Sequence, residues 1–537
     1  MRILYNAHIY TQDPRCPAAS ALAIEGGQIL ATGDDEGILS QFEHRKPGTS
    51  ITLENLSGRW LLPGLIDAHL HLENYALALR KVDCETSTKE ECLERVAERA
   101  RQAPPGEWIL GHGWNQNAWE GGFGCAADLD AVAPMNPVFL TAKSLHAAWA
   151  NSAALRLARE GRCVSAETPD PPGGKLGRLP SGNPDGILFE SAMDWIYSIL
   201  PEPGVEETAA AINEAQQVLW RQGLTGVHDF DRRRCFAALQ LLHQRGLLRL
   251  RVNKNIPLED LPHATALGLR SGFGDAMLRI GSVKAFADGA LGPQTAAMLQ
   301  PYNGGGEEER GILLLDGEQI FEHGRLAVDC GLSMAIHAIG DRAVHETLDG
   351  LAHLRAYESA QGLVPGRHRI EHVQLIHPDD APRLAELEII ASMQPSHAPS
   401  DMIMADRYWG ERTAYAYAWR TQLSYGARLA FGSDAPVESP NPFWGLYAAI
   451  ARRRLDGSPG TEGWRPEQRL FLHEALQAFT LGAAYAAGLE DRLGRLAPGY
   501  LADMILLEED PFALPPEALR DVRPLRTMVA GEWVYGD

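Results

Sequence analysis

Two hydrophobic rhythms alternate through the middle of the chain. Short, almost wholly apolar runs recur at LLPGLIDAHLH (61–71), PVFLTA (137–142), TGVHDF (225–230) and RIGSVKAFADG (279–289). Four more follow at LSMAIHAIG (332–340), RIEHVQL (369–375), IIASMQP (389–395) and RLAFGSDAP (428–436). Continuous apolar runs of this length are what strands buried on both faces look like. Between them, EETAAAINEAQQVLWRQG (206–223) and DRAVHETLDGLAHLRAYES (341–359) place apolar residues every third or fourth position, the period of an amphipathic helix. Eight strands alternating with helices predict an α/β fold, the (β/α)8 TIM barrel, here longer than its usual span of roughly 250 residues. The excess falls before the second predicted strand and between the second and third, so approximately 107–200 reads as an α/β insertion.

The ends of the chain follow a different pattern. MRILYNAHIYT, SALAIEGGQILATG and TSITLENLSGRWLLPG are β-rich segments broken by Gly-Gly and Asp-Asp turns, and GRLAPGYLADMILLEED with VRPLRTMVAGEWVYGD returns to that style. Neither end can bury a core alone, so the two predict one small β-sandwich domain built from residues 1–60 and 485–537 around a barrel at 61–484. QPYNGGGEEERG (300–311) and HAPSDMIMADRYWG (397–410) read as mobile loops.

Composition narrows the class without naming it. A net charge of −21 argues against nucleic acid or an anionic membrane as a partner, because both demand a basic surface. The 7 cysteines are scattered, with no C-x-x-C and no disulfide framework. The N-terminal segment reads as a strand rather than a signal peptide, and no apolar run reaches the roughly 18 residues of a membrane helix. These features predict a soluble protein of a reducing cytoplasm. Exposed aromatic loops permit a homodimer without requiring one.

Chemistry enters at the ends of the predicted strands, where a barrel gathers its functional side chains. The first strand ends in His69 and His71, which share a face because strand side chains alternate. The fourth predicted strand carries Lys284, the fifth His337, the sixth His372, and the eighth ends in Asp434. Any one of them alone reads as a hydrogen-bonded core residue, and Lys284 alone as an ion pair with Asp288. Six polar groups aimed at one apolar pocket would leave several unpaired. A divalent metal resolves the conflict, since imidazoles donate lone pairs and carboxylates balance its charge.

The motifs carrying these residues resemble the amidohydrolase superfamily of metal-dependent hydrolases. PGLIDAHLH and GSDAP carry the first likeness. GWNQNAWEGG, HAAWANSAAL, PDGILFE, VKAFADGALG, AIHAIGDRAV, RIEHVQL and LGRLAPGYLADMILLEEDPF narrow it to the amidohydrolase family 3 branch, which includes N-substituted formamide deformylases. The resemblance implies that His69, His71 and Asp434 hold a buried α metal and that His337 and His372 hold a β metal. It also implies that Lys284, carboxylated to N6-carboxylysine, bridges the two. One or two divalent ions, with zinc as the expected metal, would activate water for attack on a small amide-like carbonyl. Asp434 would shuttle the proton, and His372 or the second metal would polarise the carbonyl oxygen.

Substrate selection is expected from Trp114, Asn115, Trp119 and His146 in the insertion, from Asp288 and Gly289 on the pocket floor, and from Trp409 as an apolar wall. The same tryptophans are equally suited to packing. A deaminase or cyclic-amide hydrolase on the same barrel is the nearest alternative, but such deaminases commonly lack the strand-4 lysine. A barrel that binds without catalysis is less compatible with six competent ligand positions. A nucleotide-binding fold lacks its glycine fingerprint, since neither GGGEEERG nor GFGDAM carries a P-loop lysine.

Overall fold

Seven of the eight predicted strands join one parallel sheet in the computed structural model, which describes residues 1–43, 50–116, 119–142, 147–161, 164–172 and 174–536. In chain order the sheet comprises β1 (Leu65–Leu70), β2 (Leu224–Asp229), β3 (Arg251–Pro257), β4 (Leu278–Phe286), β5 (Met334–Ala338), β6 (Arg369–His372), β7 (Ile390–Met393) and β8 (Leu429–Phe431). Each pairs with the next in parallel register. The ends of β8 and β1 then close the barrel. The Asp434 N–H donates to the His69 carbonyl at 2.7 Å, and the His71 N–H donates to the Ala435 carbonyl at 2.8 Å. That closure needs Gly432, because a Cβ there would sit 2.4 Å from the His69 nitrogen.

The second predicted strand belongs elsewhere. Val138–Ala142 lies in a separate six-stranded sheet within the unit Ala76–Glu207, which interrupts the chain between β1 and β2. The insertion is therefore wider than 107–200. The barrel's third strand is instead RVNKNIP, whose polar residues disguise it. Inside the fold three of those residues find partners: Arg251 pairs with Asp503 at 2.5 Å, Lys254 with Asp229 at 2.7 Å, and the Asn255 amide donates to the Asp229 carbonyl at 3.2 Å. One strand gained and one lost, both before β4, leave Lys284 on the fourth strand.

The two ends of the chain share one eight-stranded sheet rather than two separate ones. Thr52–Pro63 links them, pairing in parallel with Arg2–Tyr10 and antiparallel with Met504–Leu507. Leu4, Leu22, Ile24, Leu61, Met504 and Met528 from both ends meet in one apolar cluster of this sheet. The segment at 397–410 is a helix, His397–Trp409, and not a mobile loop. Ala398, Met402, Ala405 and Trp409 form its buried stripe, and Pro399 sits in the first turn, where a missing N–H costs nothing. The glycine-rich stretch at 300–311 is tied to this helix where the Asn303 N–H donates to the Tyr408 carbonyl at 2.9 Å. Among the described residues, no helix is long and apolar enough to cross a membrane.

Candidate metal centre

The strand ends bring His69, His71, His337, His372 and Asp434 to one place. Ring centroids lie 5.8 Å apart for His69 and His71, 5.0 Å for His69 and His372, and 4.5 Å for His337 and His372. Oδ1 of Asp434 stands 3.4 Å from Nε2 of His69 and 3.5 Å from Nε2 of His71. Donor atoms of His69, His372 and Asp434 all fall within 4.8 Å of one another. His372 and Asp434 both have left-handed backbones, with φ of 78° and 60°. Non-glycine residues hold that conformation at a cost, typically where function requires it.

The far side of each ring decides what the near side offers. Nδ1–H of His69 donates to Glu371 at 2.7 Å, Nδ1–H of His71 to Asp231 at 3.1 Å, and Nδ1–H of His372 to the Gln394 side-chain oxygen at 2.8 Å. His337 is turned the other way and donates Nε2–H to the Gly289 carbonyl at 2.9 Å. In the neutral tautomers these bonds fix, each ring keeps a lone pair on its other nitrogen. Nε2 of His69 is buried and makes no hydrogen bond, although it faces a carboxylate oxygen. A lone pair 3.4 Å from an anionic oxygen is repulsive unless a cation lies between them. The donor set fits a divalent metal: imidazole nitrogen and carboxylate oxygen, converging and deprotonated.

Burial reinforces the neutral state. It pushes His69 and His372 well below the ordinary histidine range and His337 down to about 3. His71 behaves differently: burial lowers it, but the Asp231 carboxylate outweighs burial and raises it overall. A metal therefore meets more competition from a proton at His71 than at the other rings. Burial raises Asp434 against the opposing charges of His397, His71 and Lys284. Glu371 is also pushed up by burial, yet the Arg369 guanidinium and Lys284 outweigh that and keep it ionised below its usual range.

Lys284 is buried to 4% exposure, and its Nζ lies 4.6 Å from the Phe230 ring centroid and 4.8 Å from that of Phe286. Burial brings its amine down to about 8. Beside it is a cavity of about 240 Å³, lined by His71, Phe230, Asp231, Lys284 and Phe286 among others.

The proposed Lys284–Asp288 ion pair does not form in this structure, because Asp288 is occupied. It accepts N–H bonds from Ala297 at 2.9 Å, Ile339 at 3.0 Å and Gly340 at 2.8 Å. Asp288 thus pins the turns after β4 and β5 from a fully buried position, while Gly289 orients His337. Trp114 and Trp119 are core residues of the unit Ala76–Glu207, their indole N–H groups donating to the Leu140 carbonyl at 2.8 Å and the Thr86 carbonyl at 3.1 Å. Asn115 is partly buried in that unit, and His146 lies outside the described residues. Trp409 is fully buried, its ring centroid 6.3 Å from that of Tyr417.

Sequence reasoning passed over the groups that orient the rings. Arg369 and Glu371 alternate on β6 and so face the same way; the Arg369 guanidinium pairs with Glu371 and reaches the Ala68 carbonyl at 2.6 Å. Asp67 accepts the His69 N–H and the Ser433 N–H, both at 3.0 Å, locking β1 to β8. A second acidic group, Asp229, Asp231 and Cys235, is no rival site, because the Lys254 ammonium already sits on Asp229.

Comparison with known proteins agrees with this geometry. The model of the Amidohydrolase family matches residues 52–535. Protein LONG AFTER FAR-RED 3 of Arabidopsis thaliana is 33% identical over 99% of this chain and 91% of its own. The N-substituted formamide deformylase of Arthrobacter pascens is 29% identical over 99% of this chain and 98% of its own. The crystal structure of an uncharacterized metal-dependent hydrolase from Pyrococcus furiosus superposes with a TM-score of 0.77 at 29% identity, covering 95% of this chain and 99% of that one. Family and neighbours together support a metal-dependent hydrolase. With its match running almost from end to end, the chain belongs to the amidohydrolase family.

Proposed function

We propose that the protein hydrolyses a non-peptide carbon–nitrogen bond in a small amide-like substrate, with zinc as its metal. The observation that carries this reading is the unpartnered, buried Nε2 of His69 facing Asp434, with three further imidazoles gathered around it. His69, His71 and Asp434 would hold one cation, and His337 and His372 a second. A divalent cation bound there supplies Lewis acidity, bringing the pKa of water to about 7 and drawing charge from a carbonyl oxygen.

The chain's own groups do the rest. Asp434, whose carboxyl burial makes more basic than usual, takes a proton from the attacking water and returns it to the nitrogen as the carbon–nitrogen bond breaks. One water is consumed, and an acid and an amine leave. Lys284, with a pKa of about 8, is neutral often enough to add carbon dioxide, releasing one proton and becoming a carbamate that offers oxygen donors. Phe230 and Phe286 flank that amine.

The relative named N-substituted formamide deformylase suggests formanilides as first substrates, followed by other acylated amines and cyclic amides. Zinc-loaded protein should release aniline from formanilide, lose that activity with a chelator, and regain it with zinc. Metal-loaded protein idle on the whole panel would remove the amide reading. Hydrolysis that survives complete metal removal would remove the metal from it.

A further inference from the structure

A fifth histidine stands at the centre, and its Nδ1 faces an amide nitrogen rather than an oxygen. His397 begins the helix after β7, is 6% exposed, and lies parallel to His372 with ring centroids 6.2 Å apart. Its Nδ1 meets the side-chain amide nitrogen of Gln374, a donor, at 3.2 Å. With the Gln374 amide nitrogen turned toward it, Nδ1 accepts, and in that arrangement the ring proton sits on Nε2. That Nε2–H is buried without a hydrogen-bond partner, and Oδ2 of Asp434, at 3.9 Å, is too far to take it. A buried donor left unpaired is costly, and in a native fold it calls for an acceptor that arrives later.

The substrate carbonyl needs such a donor. His372 does not supply it while its one ring proton is given from Nδ1 to the Gln394 side-chain oxygen. We propose that His397 is a catalytic residue whose Nε2–H hydrogen-bonds the substrate's carbonyl oxygen as charge gathers there during attack. This rests on the amide-hydrolysis reading above. His397 forms no covalent bond and surrenders no proton. Its contribution is a preorganised dipole beside Asp434, of the kind that costs about 100-fold to 1000-fold in kcat when removed.

The test uses zinc-loaded full-length protein with His397→Phe, His397→Gln and His397→Asn. Zinc equivalents are measured by atomic emission, formanilide kinetics by aniline release, and affinity for N-phenyl methylphosphonamidate, a tetrahedral mimic, by calorimetry. Phe keeps the ring and loses the donor. It should retain wild-type zinc and KM within about threefold while kcat falls about 100-fold and mimic affinity drops in parallel. Gln, whose amide nitrogen takes the place of Nε2, should recover at least tenfold of that loss, and Asn, which mimics Nδ1, should not. An active wild type matched by His397→Phe in kcat and mimic affinity overturns the donor role. So does loss of zinc in His397→Phe together with its retention in His397→Gln. A wild type idle on the panel that still binds the mimic, with His397→Phe binding it more weakly, supports the donor role while overturning the amide reading.

Discussion

Replacing Glu371 with Gln should separate the metal's hold from the fold's stability. Gln keeps the shape of the side chain and an oxygen that can accept from Nδ1–H of His69, but it removes the charge. Glu371 is fully buried, sits 2.7 Å from His69 Nδ1, and accepts from Arg369 Nη2 at 3.0 Å. Losing a carboxylate behind a ligating imidazole typically costs 10–100-fold in metal affinity, which is about 1.4–2.7 kcal/mol. The variant also strands the Arg369 guanidinium, and breaking a buried pair costs about 3–5 kcal/mol. Here the lower figure applies. Arg369 keeps Ser392 Oγ at 2.5 Å, the Ala68 carbonyl at 2.6 Å and Nδ1 of His228 at 2.8 Å, so its Nη groups stay partnered and only Nε loses its facing carboxylate. Zinc affinity is read by competition with a chromophoric chelator, and stability by urea unfolding of metal-free protein. A variant that binds zinc as tightly as wild type would refute the claim that Glu371 tunes His69. An unchanged urea midpoint would refute the account of Arg369.

Three further outcomes follow from the same geometry. Asp434→Asn should keep most of its zinc through the surrounding histidines while losing nearly all hydrolytic rate; a variant with zinc and full rate would remove the proton-shuttle role. Metal-free wild type should lose stability relative to His337→Gln as pH falls from 6.5 toward 3. The unfolded chain protonates that histidine near 6.5 but the folded one only at about 3, a slope of about 1.4 kcal/mol per pH unit that a pH-independent difference would contradict. Trp409→Ala should destabilise the protein by about 3–5 kcal/mol with KM for formanilide unchanged; a raised KM at unchanged stability would return Trp409 to the pocket wall.

The histidines and the aspartate that converge at the strand ends were legible because each stands out as a polar residue at the end of an apolar strand. β3 was not, since Arg251, Lys254 and Asn255 find partners only once distant segments such as Asp229 and Asp503 are in place. A strand whose polar groups are satisfied across the fold looks like a loop in isolation. The helix at 397–409 is readable in principle: Ala398, Met402, Ala405 and Trp409 keep a helical period, although the Met, Tyr and Trp residues of this stretch look exposed in the sequence alone. Arg369 and Glu371 flank a predicted ligand with a strand's alternation, and two opposite charges inside an apolar strand were a signal available before the structure. The orientation of His397 was not available, because it depends on a hydrogen bond to Gln374, 23 positions earlier. Tautomers are set by tertiary contacts, and spacing along the chain does not carry them.

The central claim is that one cation joins the first strand of the barrel to its last. Anomalous diffraction from zinc-loaded crystals tests it directly. The account predicts a strong peak about 2.0–2.2 Å from Nε2 of both His69 and His71 and against the carboxylate of Asp434. Crystals of zinc-loaded protein with no peak among those three side chains, or with the metal seated elsewhere, would contradict it.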